Sequence, residues 1–170
     1  ESITLTYSVV ATDDSATANA ASDAQTVTIT INGTNDQPVI DSIAATGTLS
    51  EADGNAALSA SGTLTFSDLD ANNRVTVTAS NTGISWTGGT LDTQLNNSDI
   101  SSLINAFSID NNGWNYNTNV NLDFLAQGES ITLTYSVVAT DDSATANAAS
   151  DAQTVTITIN GTNDQPVIDS

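Results

Sequence analysis

The side chains in this 170-residue chain best suited to chemistry are carboxylates and amides that stand where apolar runs break off. Asn35-Asp36 and Asn163-Asp164 each precede a Gln-Pro step, and Asp41 lies just beyond the first of these. Glu51 and Asp53 follow Leu49, and Asp68 and Asp70 follow Phe66. Asp141-Asp142 close the run that begins at Ile131, as Asp13-Asp14 do earlier in the chain. All of these offer oxygen and nothing softer. Such donors suit calcium, a hard cation that takes about six to eight oxygens from carboxylates, carbonyls and water.

Asp and Asn also favour turns, because their side chains bond nearby backbone N–H groups. A single Asp therefore decides nothing, and the metal reading rests on the set. Twenty acidic side chains face one basic residue, Arg74, for a formal net charge of −19. Carboxylates in such excess repel one another in a compact state, and the chain supplies almost no counter-charge of its own. Divalent metal is the expected source.

The same composition excludes other roles. Without a Lys/Arg patch there is nothing to neutralise phosphates, so nucleic acid is not an expected partner. Anionic membrane surfaces are disfavoured for the same reason, and no apolar run approaches the ~20 residues of a bilayer span. The N-terminus carries no signal-peptide pattern and reads as an internal cut in a longer chain. No Cys means no disulfide framework. With no His, Cys or Lys, the usual bases and nucleophiles of an enzyme are missing, and no catalytic residue is assigned.

The elements that must carry these side chains are β-strands. Ile131, Leu133, Tyr135 and Val137 alternate with Thr or Ser, as do Val155, Ile157 and Ile159, Leu64 and Phe66, and Val75 and Val77. Period-two alternation rich in Thr, Val and Ile predicts half-buried strands. Trp114 and Tyr116, after the turn at 110–113, predict another strand. Ile100, Leu103, Ile104 and Phe107 fall at helical spacing and predict a short helix or turn within a connection at 97–107, opened by Ser98 or Asp99 as its cap. Some seven or eight strands separated by turns predict an all-β fold, an antiparallel β-sandwich.

Residues 1–42 recur letter for letter at 129–170, an offset of 128 residues. That period is too long for a solenoid and has the size of a whole domain. The expected organisation is a partial sandwich at 1–36, the C-terminal strands of a preceding repeat; a linker at 37–42; and one full repeat at 43–170. Two bare strands are marginal by themselves. Residues 1–42 are therefore expected either to pair with a neighbouring molecule in a strand-swapped self-association or to take the place of 129–170; the alternative is a natural folding unit split across the repeat boundary.

The strings FSIDNNGWNY at 107–116, LAQGESITLTY at 125–135 and QTVTITINGTNDQPVI at 153–168 resemble the VCBS-type repeats. These are cadherin-like or immunoglobulin-like sandwich domains of giant bacterial RTX adhesins secreted by type I systems. The resemblance implies a calcium-stabilised extender, stacked in tandem at the bacterial cell surface to project distal domains for cell adhesion and biofilm formation. It also implies a site built from a first-strand Glu, an acidic pair of a later loop and the linker Asn-Asp. On this chain those are Glu51, Asp141-Asp142 or Asp68/Asp70, and Asn35-Asp36. The tandem GGxGxD calcium nonapeptide is absent, with GGTLD at 88–92 a lone partial echo. Asp68-x-Asp70-x-Asn72 resembles an EF-hand opening, but Asn73 and Ala79 replace the Gly and the Glu that the motif requires. The rival role is ligand binding, with Trp86, Trp114 and Tyr116 as surfaces on which a sugar could stack.

Overall fold

The computed structural model describes residues 1–54 and 56–166. The last two residues of the string at 153–168, and the end of the repeat expected at 43–170, lie outside the described residues. The chain divides into two compact units, Glu1–Asn35 and Asp36–Ser170.

The first unit is a hairpin. Strands β1 (Ser2–Val9) and β2 (Gln25–Asn32) pair antiparallel from Ser2↔Asn32 to Val9↔Gln25. Thr and Ser alternate with Ile, Leu, Tyr and Val, so each strand has one apolar side. That side is bare: Ile3 is 63% exposed, Tyr7 52% and Ile31 55%.

The second unit holds eight strands among the described residues. They are β3 (Val39–Ile43), β4 (Thr46–Ser50), β5 (Leu58–Ser67), β6 (Thr76–Trp86), β7 (Phe107–Asp110), β8 (Gly113–Thr118), β9 (Ser130–Thr140) and β10 (Gln153–Asn160). One sheet has the order β4-β10-β9-β6 and the other β3-β5-β8-β7. Their inner faces share one core, the layering of a β-sandwich. The pairings are antiparallel except that β4 runs parallel to β10. The chain crosses between sheets at Ala44 and Ala45: Ala44 N–H donates to Thr63 O of β5, and Ala45 O accepts from Thr156 N–H of β10.

Strands β9 and β10 repeat the register of β1 and β2, from Ser130↔Asn160 to Val137↔Gln153. Here the same side chains are inside. Ile131, Leu133, Val137, Val155, Ile157 and Ile159 have no exposed surface. Full burial of each contributes about 1.5–3 kcal/mol relative to exposure, so this hairpin supplies much of the core. The loop conformation, by contrast, does not depend on packing. Ala16 and Ala144 both adopt the left-handed region (φ 53° and 58°), and Asp13 and Asp141 each accept the N–H of the Ser two residues on.

Part of the expected linker is strand. Val39–Ile43 pairs with β5, with a register shift at Asp41. The helix predicted within 97–107 is α1 (Asn97–Asn105), and its cap is Asn96 rather than Ser98 or Asp99: the Asn96 side chain accepts the Asp99 N–H at 3.0 Å. Two buried tyrosines fix its far end. Tyr116 donates to Leu103 O and Tyr135 to Ile104 O. Burial raises both phenols above their ordinary pKa, Tyr135 to about 12.

Trp114 lies at the centre of the core, with its indole N–H donated to Ala44 O at 2.8 Å. Its ring rests where β4 and β5 carry Gly47 and Gly62; a Cβ on Gly62 would come within 2.4 Å of the indole. Gly62→Ala is therefore expected to lower stability by about 1–3 kcal/mol through overpacking. Denaturant unfolding checks this, and an unchanged midpoint would contradict the packing assigned to Trp114.

Candidate metal centre

Most of the candidate acidic residues of the second unit stand at its two ends. At the end where β3 begins and β5 and β9 finish, the connection after β5 is tied on both sides. Asp70 Oδ2 accepts the Asp36 N–H at 2.7 Å, and Asp142 Oδ1 accepts the Arg74 N–H at 3.0 Å. Asp68 Oδ1 accepts the Asp70 N–H at 2.9 Å, while its Oδ2 is buried without a hydrogen-bond partner. Asp141, buried beside this loop, accepts the Ser143 N–H.

At the opposite end, β4 and β10 finish side by side, with Ser50 paired to Asn160. Glu51 follows directly and is buried, 3% exposed. Its Oε1 accepts both the N–H and the hydroxyl of Thr162, at 2.7 and 2.5 Å. Its Oε2 is buried and has no hydrogen-bond partner. A buried acceptor left in this way is unfavourable by about 1–3 kcal/mol, more for a charged group. Asp53, Asp123 and Asp164 surround it closely enough to act on one another. The Asp164 carboxyl is raised above the ordinary Asp value of 3.8, first by partial loss of solvent, then by its hydrogen bond with Asp53 and by the negative charges of Glu51, Asp53 and Asp123. Asn163 donates its side-chain amide to Asp164 O. Asp123 Oδ1 accepts the Gly54 N–H at 2.7 Å and its Oδ2 the Asn121 amide at 2.9 Å.

The expected grouping of Glu51 with Asn35-Asp36 does not occur. Twelve residues, 39–50, run extended through β3 and β4 between Asp36 and Glu51 and hold them at opposite ends of the unit. Glu51 meets the second copy of the same motif, Asn163-Asp164. Asp41 is on β3 and accepts the Ser67 hydroxyl at 2.9 Å. Asp13, Asp14 and Asn35 belong to the first unit, where the Asp13 carboxyl is held below its ordinary value by hydrogen bonds from the Ser15 hydroxyl and N–H. Asp123 was not among the expected ligands. Its only signal in the sequence is the Asn121-x-Asp123 spacing after a strand, the same pattern that marks Asp68-x-Asp70.

All side-chain donors at both ends are oxygens, and one buried carboxylate oxygen at each end lacks a hydrogen bond. That chemistry fits a hard divalent cation. Among the described residues no three acidic side chains form a ready-made coordination sphere. The aromatic residues considered for sugar stacking are engaged within the fold. Trp114 and Tyr116 are core, while Trp86 meets Phe124 edge-on at 5.2 Å and donates to Glu129 Oε2 at 3.1 Å.

No family model matches the chain, and no curated protein matches it.

A raised carboxyl means that the folded state holds its proton more tightly than the unfolded chain does. Stability contributed through Asp164 therefore increases as pH falls from neutrality through the raised value, above 3.8, and is lost as pH rises through it. In metal-free buffer, Asp164→Asn is expected to flatten this part of the profile of Tm against pH. An identical slope in wild type and variant would remove Asp164 from the cluster.

Proposed function

We propose that this chain is a calcium-stabilised structural extender: an immunoglobulin-like or cadherin-like repeat, 128 residues in period, from a large bacterial surface adhesin. On this reading such repeats stack in tandem outside the cell and project distal domains for adhesion and biofilm formation, with secretion by a type I system. The observation that carries the reading is Glu51, buried with one carboxylate oxygen unpartnered beside Asp53, Asp123 and Asp164. The same Asn-Asp-Gln-Pro sequence stands at both ends of the second unit, at 35–38 and 163–166. In a tandem array the Glu51 cluster of one repeat would thus meet the Asp36, Asp68 and Asp70 cluster of the next.

Glu51, Asp53, Asp123 and Asp164 would hold the ion at one end, and Asp68, Asp70, Asp141 and Asp142 would do so at the other. When bound, calcium supplies the positive charge that the chain lacks and cross-links the ends of strands that are otherwise joined by repelling carboxylates. Calcium modules outside the cell bind at about 10⁻⁴–10⁻³ M. Saturation to ~100 times Kd adds about 2.7 kcal/mol per site, a large share of a domain's net ~5–15 kcal/mol.

Chelation is expected to lower the Tm sharply and to loosen the angle between repeats, seen as a shorter scattering-derived length. Glu51→Gln keeps the Thr162 hydrogen bonds but removes the charge. It is expected to melt at or above the wild-type temperature in chelator and to lose most of the calcium-induced rise. Equal melting of the wild type in calcium and in chelator would defeat the reading.

A further inference from the structure

The bare hairpin of the first unit has a partner that the molecule itself identifies. Ile3, Leu5, Tyr7, Val27, Ile29 and Ile31 are exposed. The residues 128 positions on are the same, share the same strand register and are buried against the body formed by 36–128. The complementary surface is therefore already established in this structure, down to the strands that flank it. Strand β10 lies beside β4 with Thr158 opposite Thr48, and β9 lies beside β6 with Leu133 opposite Ile84.

We propose that β1–β2 is a donor hairpin whose partner is an open body of the 36–128 sequence, one without a closing hairpin of its own. Two other acceptors compare poorly with it. Seated in place of β9–β10 on its own body, the hairpin would leave Asn32 beside Ser50, because Asn160 holds that position. Val39 begins β3 at the far end of the unit, and the extended run from Val39 to Ser50 spans roughly 35 Å at ~3.3 Å per residue. Seven backbone steps from Asn32 to Val39 reach at most about 25 Å, too few to close that gap. A closed second copy gains nothing from exchange, since each copy has one body and two identical hairpins and one hairpin always stays bare. An open body gains a full set of core contacts. This inference does not rest on calcium, because the contacts in question are apolar and lie between the ends of the strands.

The test compares the 170-residue chain with the same chain carrying a second copy of residues 36–128 fused ahead of Glu1, by hydrogen exchange of individual amides. The β9–β10 amides in each sample report that the body has folded. In the 170-residue chain the β1–β2 amides are expected to exchange rapidly. In the extended chain they are expected to slow to within ~10-fold of β9–β10, the behaviour of amides in a packed sheet. Leu5→Asp with Ile29→Asp in the extended chain is expected to return β1–β2 to fast exchange while β9–β10 stay slow. Fast β1–β2 exchange in the unmutated extended chain overturns the proposal. So does a 170-residue chain that sediments as a dimer with β1–β2 already protected, which would assign the face to a closed second copy.

Discussion

Twenty carboxylates against one guanidinium is the constraint under which this sandwich is built. The core is ordinary in its chemistry: two sheets, alternating Val, Ile, Leu and aromatic residues inside, Thr and Ser outside. The negative charge is pushed to the ends of the strands, where connections turn and backbone N–H groups are free to be accepted. Asp70 takes the N–H of Asp36, Asp142 that of Arg74 and Asp123 that of Gly54. These bonds spread the charge over the loop backbone without cancelling it. Glu51 Oε2 and Asp68 Oδ2 are buried acceptors with no hydrogen bond. A buried carboxylate oxygen without a hydrogen bond is unfavourable, and the cation proposed at each end of the domain would offset that cost.

The identical segments separate what local sequence fixes from what packing fixes. Both hairpins share a strand register, a left-handed Ala in the loop and an Asp-to-Ser N–H bond. Those features follow from turn chemistry and strand propensity alone. Burial does not: Tyr7 is half exposed and Tyr135 is 3% exposed, although the residues around them in sequence are the same. The residues of such a hairpin set its register, and it becomes part of a core only when a body accepts it.

The same distinction explains what was legible in the sequence. Alternation located β5, the start of β6, β8, β9 and β10, because each has an apolar side long enough to leave a period of two. It did not locate β3 and β4, which are five residues each, β3 being further interrupted by the irregularity at Asp41. With Pro38 in front and Asp41 inside, 37–42 has the composition of a linker, and only its pairing with β5 makes most of it strand. The cap of α1 falls on Asn96 because the first turn begins two residues earlier than Ser98, and three earlier than Asp99, would allow. In the candidate site, the acidic residues themselves were readable, but their partners were not. Asn35-Asp36 and Asn163-Asp164 are the same letters, so sequence cannot tell which copy Glu51 meets. The extended length of β3 and β4 decides it. Asp123 was missed because a lone Asn-x-Asp after a strand is also an ordinary turn signal.

The central claim is that Glu51 is buried half-satisfied because a calcium ion completes it. Anomalous scattering from crystals grown in saturating calcium tests this most directly. The account predicts a calcium peak in coordination contact with Glu51 Oε2, shared with carboxylates drawn from Asp53, Asp123 and Asp164. A map with no peak at that oxygen, and with Oε2 hydrogen-bonded to protein or water instead, would contradict it.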